Sequence, residues 1–344
     1  MNKKRTKIQA TLAISISLVT IFLLNPKGTS LREIFSNISH YEFLFCAGGF
    51  FLFFILMEAL TFQYIFKLQG LSVPLKRTYG YSLADYFFSA ASPGGSAGQP
   101  GQLYYMSQDE IPLAACMMGL VVFNTMYHLA MVVIGILAHG FYKELFFNLP
   151  FRIQLLMNLG LLIQVFFTIF QGGLMVSQKK VPRVILGFLR KMKERKVIFF
   201  RKIDEEAAKK TMVQYGKYGG YFKENPQKLF PIFLMNMFLL VFSYGISYFV
   251  YRSLGHQDLN FIKTIALQSQ LVVSMESLPL PGGVGAAEDI FFNVYQGYVP
   301  QDAAFTWMIL TRLLTYYFGL ALGLVAVLLL GAKTYKVKEK SKEQ

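Results

Sequence analysis

The chain is poor in the side chains that most enzymes rely on. Its 344 residues include two cysteines, four histidines and one tryptophan. Cys46 and Cys116 both fall within apolar stretches, so no disulfide framework is implied. His40, His128, His139 and His256 never approach one another at metal-ligand spacing, and no metal site is expected. There is no P-loop, no Gly-x-Ser-x-Gly elbow and no dinucleotide fingerprint, so ATP hydrolysis, serine-hydrolase and nicotinamide chemistry lack a sequence basis. No catalytic residue and no cofactor is assigned. Acidic residues are also scarce, 19 against 34 Lys and Arg, for a formal net charge of +15.

Apolar residues are abundant, at 54% of the chain. A hydrocarbon core of about 30 Å is crossed by roughly 20 helical residues. Six stretches are long enough: Ile8–Leu24, Tyr41–Phe66, Pro112–Ala138, Arg152–Val176, Leu229–Tyr251 and Ala303–Gly331. The fold class expected is an all-α polytopic membrane protein. Ile8–Leu24 follows Lys3, Lys4, Arg5 and Lys7 but leads into Asn25-Pro26-Lys27-Gly28, which is no small-residue cleavage pattern. It reads as a retained first span.

The tripeptide Pro-Gly-Gly occurs twice, at Pro93-Gly94-Gly95 and Pro281-Gly282-Gly283, 188 positions apart. The same shift lays Tyr41–Phe66 on Leu229–Leu254 and Pro112–Ala138 on Pro300–Ala326. Two units of the form span, broken segment, span therefore fill most of the chain, as in transporters built by internal duplication. The organisation expected is a first span and linker (1–40), repeat 1 (41–138), a connecting span (139–176), a basic loop (177–228), repeat 2 (229–331) and a basic tail (332–344).

The positive charge is concentrated. Ser177–Lys228 carries 15 Lys and Arg against 5 acidic residues, and further excess lies in the first seven residues and in Ala332–Gln344. No aromatic-basic module accompanies it, so no nucleic-acid partner is expected. The positive-inside rule explains it instead, with these pieces and both termini in the cytoplasm. That placement requires each Pro-Gly-Gly segment to enter and leave from one face, and the two repeats to be oppositely oriented.

The broken segments run from about Thr78 to Met106 and from about Lys263 to Tyr298. Proline interrupts helix and paired glycines tolerate unusual dihedrals, so each reads as half-helix, turn, half-helix. The alternative is an ordinary turn outside the bilayer. As re-entrant hairpins, their tips would meet near the midplane and offer backbone donors and helix starts to a lipid phosphate. Pro93, Gly94, Gly95, Pro281, Gly282, Gly283 and Gly285 are the substrate-site candidates there.

Ionisable residues at membrane depth usually face a partner or a cavity. Arg312 is the candidate phosphate ligand, its alternative role an ion pair with Glu58 or Glu288. Glu288 and Asp289 open the half-helix after the second Pro-Gly-Gly, where they would bind substrate or cap the helix. Glu58, Asp85 and Glu276 are candidates for proton coupling. His128 reads as a satisfied core histidine. In the basic loop, Val184, Ile185, Phe188, Leu189 and Met192 recur at helical spacing among basic residues, as in an amphipathic helix lying on anionic lipid.

At SPGGSAGQPG (Ser92–Gly101) and LPLPGGVGAAED (Leu278–Asp289) the chain resembles the lysylphosphatidylglycerol synthase transmembrane region family, which includes the flippase domain of the bacterial multiple peptide resistance factor. The likeness covers about Thr6 to Ala332. It implies a bacterial or archaeal plasma-membrane protein that acts on phospholipids. In the full-length factor the membrane domain moves aminoacylated phosphatidylglycerol to the outer leaflet, which reduces attack by cationic peptides. Twelve residues follow Ala332, where the factor has its aminoacyl-transferase domain, so the synthase activity is not carried over. The function expected is a lipid translocase for a phospholipid or related lipid phosphate. The alternatives are a lipid-modifying membrane enzyme and a membrane subunit of a separately encoded synthase. The partners expected are the lipid substrate, an anionic membrane surface through 177–228, such a synthase, and a second copy of the chain.

Overall fold

A computed structural model describes residues 31–92, 95–195, 204–276, 286–295 and 297–340. The span expected at Ile8–Leu24 lies outside the described residues. The other five expected spans are all present as helices long and apolar enough to cross a membrane. They are α1 (Tyr41–Leu68), α4 (Leu113–Phe141), α5 (Phe151–Val176), α8 (Leu229–Ser253) and a last span made of α11 (Gln301–Arg312), a π-helical turn (Leu313–Phe318) and α12 (Gly319–Lys340). Without water to bond to, backbone groups in such runs must pair internally, and the helix does so. The protein is an all-α, multi-pass membrane protein.

Proline sets where several of these helices begin. Pro112, Pro150 and Pro300 stand directly before α4, α5 and α11 with extended backbone, and Pro74 does the same for α2 (Leu75–Ala90). A proline has no N–H to extend a helix backwards, but its carbonyl accepts the first helical bond. The Ala115 N–H donates to Pro112 O at 2.8 Å, and Ala304 N–H to Pro300 O at 2.9 Å.

Between the spans of each repeat lies a helical hairpin. The first comprises α2 and α3 (Gly98–Gln108); the second comprises α9 (Phe261–Glu276) and α10 (Ala286–Tyr295). Tyr41, Gly98 and Leu113 start their helices 188 positions before Leu229, Ala286 and Gln301 start theirs. The duplication seen in the sequence is thus a duplication of elements.

The equivalent helices α1 and α8 pack side by side and run antiparallel. Ser39 N–H donates to Ser253 O, Phe43 stacks with Phe249, and Phe50 and Phe53 meet Phe242 further along. Antiparallel equivalents mean that the repeats are inverted relative to each other. The hairpins accordingly open towards opposite ends of the bundle. The first starts from the end where α1 finishes, and the second from the end where α8 finishes.

Each hairpin's first helix packs on the last span of the other repeat, α2 on α12 and α9 on α4. Glycine permits the approach at equivalent positions. A Cβ on Gly323 would lie 2.7 Å from Leu83 O and from Phe87 Cβ of α2, and one on Gly135 would lie 3.4 Å from Gln270 Nε2 of α9 and 2.9 Å from a Leu161 methyl of α5.

Two further helices, α6 (Lys180–Glu194) and α7 (Glu205–Glu224), lie at the end where α5 finishes and α8 starts. Asp204 caps α7, accepting from Glu206 N–H at 2.9 Å. Gly216 and Gly219 let α7 press its backbone against Gln178 and Met175. Buried between them, the Tyr215 hydroxyl donates to Leu174 O at 3.1 Å, and burial pushes its pKa up to about 12. The apolar stripe of α6 is divided. Ile185, with Val181 and Leu186, packs on the core, while Val184 and Phe188 remain 70% and 52% exposed.

Candidate functional site: a polar crevice at the tip of the first hairpin

The first hairpin is clamped at its base. Arg77, in the first turn of α2, donates from Nη1 to both Asp109 oxygens at 2.7 and 3.0 Å, just beyond the end of α3. Tyr81 donates to the same carboxylate at 2.5 Å. Such charge-assisted, multidentate bonding fixes the two limbs side by side. Gly98 and Gly101 then let α3 lie against α2, because a Cβ on either would strike Ser89 or the Phe88 ring.

The turn between the limbs is bonded to itself. Ser92 Oγ accepts from Ala97 N–H at 2.9 Å, Gly95 N–H donates to Ser92 O, and Gly95 sits at φ +68°, a left-handed conformation that favours glycine. Pro93 and Gly94 lie outside the described residues.

The depth of this turn follows from two tyrosines. Tyr316 donates to Ala90 O at 3.1 Å, and Tyr86 donates to Thr315 O at 2.5 Å. Thr315 and Tyr316 occupy the middle of the span Asp302–Gly331. The hairpin therefore ends halfway through the bundle, as the re-entrant reading requires. Both residues belong to the π-turn, whose wider backbone spacing is often found at functional positions in helices.

Polar side chains converge at this level. Glu58 of α1 is 5% exposed and accepts from Gln102 Nε2 of α3 at 3.0 Å. The Asp85 carboxyl and the Ser82 hydroxyl of α2 lie beside it. Gln99, one turn before Gln102, donates to Asn124 Oδ1 of α4 at 3.0 Å. Asp85 Oδ1 also rests against Gly98, 2.7 Å from where a Cβ would stand, at the positive start of α3.

Asp85, Tyr86, Ser89, Ala90, Arg312 and Tyr316 stand at the same level and are intermediate in exposure, neither sealed nor open. Arg312 lies close enough to Tyr86 to act on it electrostatically. The ion pair between Arg312 and Glu58 considered from the sequence is not formed, because Glu58 turns to Gln102, Ser82 and Asp85.

The second hairpin is described less fully. Gln270 donates to Gly135 O at 3.1 Å, and α9 continues deeper by six residues to Glu276. Tyr295 donates back to Gln268 at 2.9 Å, which ties the two limbs. Pro281, Gly282, Gly283 and Gly285 lie outside the described residues, as do the side chains of Glu276 and Glu288. Asp289 is accounted for: it accepts from Arg152 Nη2 at 3.0 Å and from Asn293, with 47% of its side chain exposed. Arg152 stands on the first turn of α5, so this pair sits near the end of a span rather than at mid-depth.

His128 bonds Gln164 at 2.5 Å and stacks on Phe167, a satisfied histidine as expected. Reading charges alone missed Ser82, Tyr86, Gln99, Gln102, Asn124 and Tyr316. The duplication would have found one of them, since the 188-residue shift lays Asn124 on Arg312.

Among the described residues no group of three or more His, Cys, Asp and Glu side chains could hold a metal ion. No curated protein matches the chain. The family described as lysylphosphatidylglycerol synthase TM region matches residues 8–323. The chain belongs to that family, and its role is tied to membrane lipids.

Proposed function

We propose that the protein moves a phospholipid, or a related lipid phosphate, between the leaflets, with the head group passing the polar cluster at the tip of the first hairpin. The observation that carries this reading is a cluster of polar, half-buried side chains, halfway through an inverted-repeat bundle, with Arg312 beside Tyr86. A lipid head group crossing a bilayer needs partners that replace water, and these stand where water is otherwise most costly to bring. Arg312 supplies a planar, multidentate donor for a phosphate, and the start of α3 adds partial positive charge. The acyl chains stay in the surrounding lipid, against the outward apolar face of α5 that carries Leu155, Leu162, Phe166 and Ile169.

Inverted repeats support the alternating part of the cycle, since two similar halves can exchange conformations around a central site. Aminoacylated phosphatidylglycerol is the substrate we favour from the family, and the basic end of the bundle, with α6 and α7, is assigned to the cytoplasm. Exposed Val184 beside Lys180 and Arg183 fits contact with an anionic leaflet there.

The test is a leaflet-resolved assay of fluorescent phosphatidylglycerol in proteoliposomes. The wild-type chain should accelerate exchange over empty vesicles, and Arg312→Ala should slow it about tenfold, the value of one hydrogen-bonded charge contact of roughly 1.5 kcal/mol. Wild-type vesicles with no acceleration would remove the reading. Unchanged exchange in Arg312→Ala would remove the site.

A further inference from the structure

The proposed site contains a pair of carboxyl groups that lipid movement alone does not explain. Glu58 is sealed in the core, whereas Asp85 beside it is of intermediate exposure. Glu58 has one described hydrogen-bond donor of good geometry, Gln102 Nε2. Ser82 Oγ is fully buried and faces the Glu58 carboxyl as a second donor beside Gln102. Both donors favour a carboxylate at Glu58 when it is ionised.

No fixed cation among the described residues sits in this pair. Among elements packed on α1 and α2, α8 has no ionisable side chain between Leu229 and Ser243. On α4 the nearest polar groups are Asn124, bonded to Gln99, and His128, bonded to Gln164. On the last span Arg312 and Tyr316 stand by Tyr86 and Ala90. Arg77, the cation of the cluster at the hairpin base, is about 12 Å along α2 from Asp85 at 1.5 Å per residue. Two neighbouring carboxyl groups with no cation between them repel when both are ionised.

We propose that Glu58 and Asp85 together hold one exchangeable proton, and that its release and uptake link lipid movement to the proton gradient. Asp85 is the member in reach of water, and Glu58 is the sealed member. On release, the proton passes from a carboxyl oxygen to water beside Asp85. The charge left behind is met by Gln102 Nε2 and by the Ser82 hydroxyl. On uptake, the pair carries one negative charge instead of two, and the hairpin can shift against α1 with less buried charge.

This rests on the transport reading, so the experiment has two arms that fail separately. In the first, an imposed pH gradient across proteoliposomes with fluorescent phosphatidylglycerol should drive net accumulation in one leaflet. Replacing sodium by choline should leave that accumulation unchanged, and Glu58→Gln or Asp85→Asn should abolish it. Exchange that ignores the pH gradient, or that follows sodium instead, overturns the proposal while leaving transport intact. The second arm needs no transport: infrared spectra of the purified full chain, titrated with pH. A protonated-carboxyl band should appear in the wild type and be lost in Glu58→Gln and in Asp85→Asn, each checked for a cooperative thermal melt. A band that persists in both variants overturns the proposal, even if no lipid moves.

Discussion

The two hairpins occupy equivalent places in the duplicated chain, yet they are held by different forces. The first is bonded by polar groups at its base, flanks and tip: Arg77 to Asp109, Gln102 to Glu58, Gln99 to Asn124, and Tyr86 and Tyr316 to opposing carbonyls. The second leans on aromatic packing. Tyr295 lies 4.2 Å from Trp307 between ring centroids, with Phe291 and Tyr251 around the same indole, and Trp307 donates to Ser247 O at 2.9 Å. Duplication preserved the frame while the chemistry of the halves diverged. Among the described residues, the polar contacts of the first hairpin have their counterpart in an aromatic cluster beside the second.

This contrast can be broken most sharply at the equivalent glycines. Gly323→Ala drives a methyl into the Leu83 carbonyl and the Phe87 stem, which are backbone or close to it and cannot give way. Gly135→Ala meets the end of a Leu161 side chain, which can rotate. Thermal unfolding in detergent should show a loss of about 3 kcal/mol for the first and about 1 kcal/mol or less for the second. Equal losses would mean that the Leu161 side chain on α5 gives way no more easily than the α2 backbone.

Next in size is the base clamp. Arg77→Ala should cost about 2 kcal/mol by the same measurement, since it leaves Asp109 and Tyr81 without their cation. The tip should be weaker: Tyr86→Phe and Tyr316→Phe should each cost about 1 kcal/mol, and the double variant should approach their sum if the two bonds act independently. Smallest is Arg152→Ala on the second hairpin. Its exposed pair with Asp289 should contribute less than about 1 kcal/mol and fade with added salt.

Much of the frame was legible because it is written in hydropathy and in proline. Five expected spans fall on five helices, and the 188-residue shift between Pro-Gly-Gly motifs reappears as the shift between helix starts at Tyr41 and Leu229, Gly98 and Ala286, Leu113 and Gln301. The site was legible only in part. Glu58 and Asp85 announce themselves as charges in apolar runs, but their proximity comes from α1 packing on α2, and Gln102 reaches Glu58 because Gly98 and Gly101 draw α3 onto α2, which no periodicity records. Gln99 and Gln102 look like ordinary loop residues beside Pro100 until α3 is seen to start at Gly98. The π-turn at Leu313–Phe318 has no proline or glycine within it to mark it in the sequence. The charged residue Asp289 drew attention by its position after the second motif, and it proves to be tied to Arg152 near a span's end.

The reciprocal tyrosine bonds at the hairpin tip have a consequence for how this region tolerates change. Their acceptors are main-chain carbonyls of Ala90 and Thr315, which every residue type supplies. Side chains at 90 and 315 can therefore drift without loosening the latch, whereas the two phenols cannot. A designer wishing to spring the hairpin open at will would replace only those hydroxyls and leave the backbone that receives them alone.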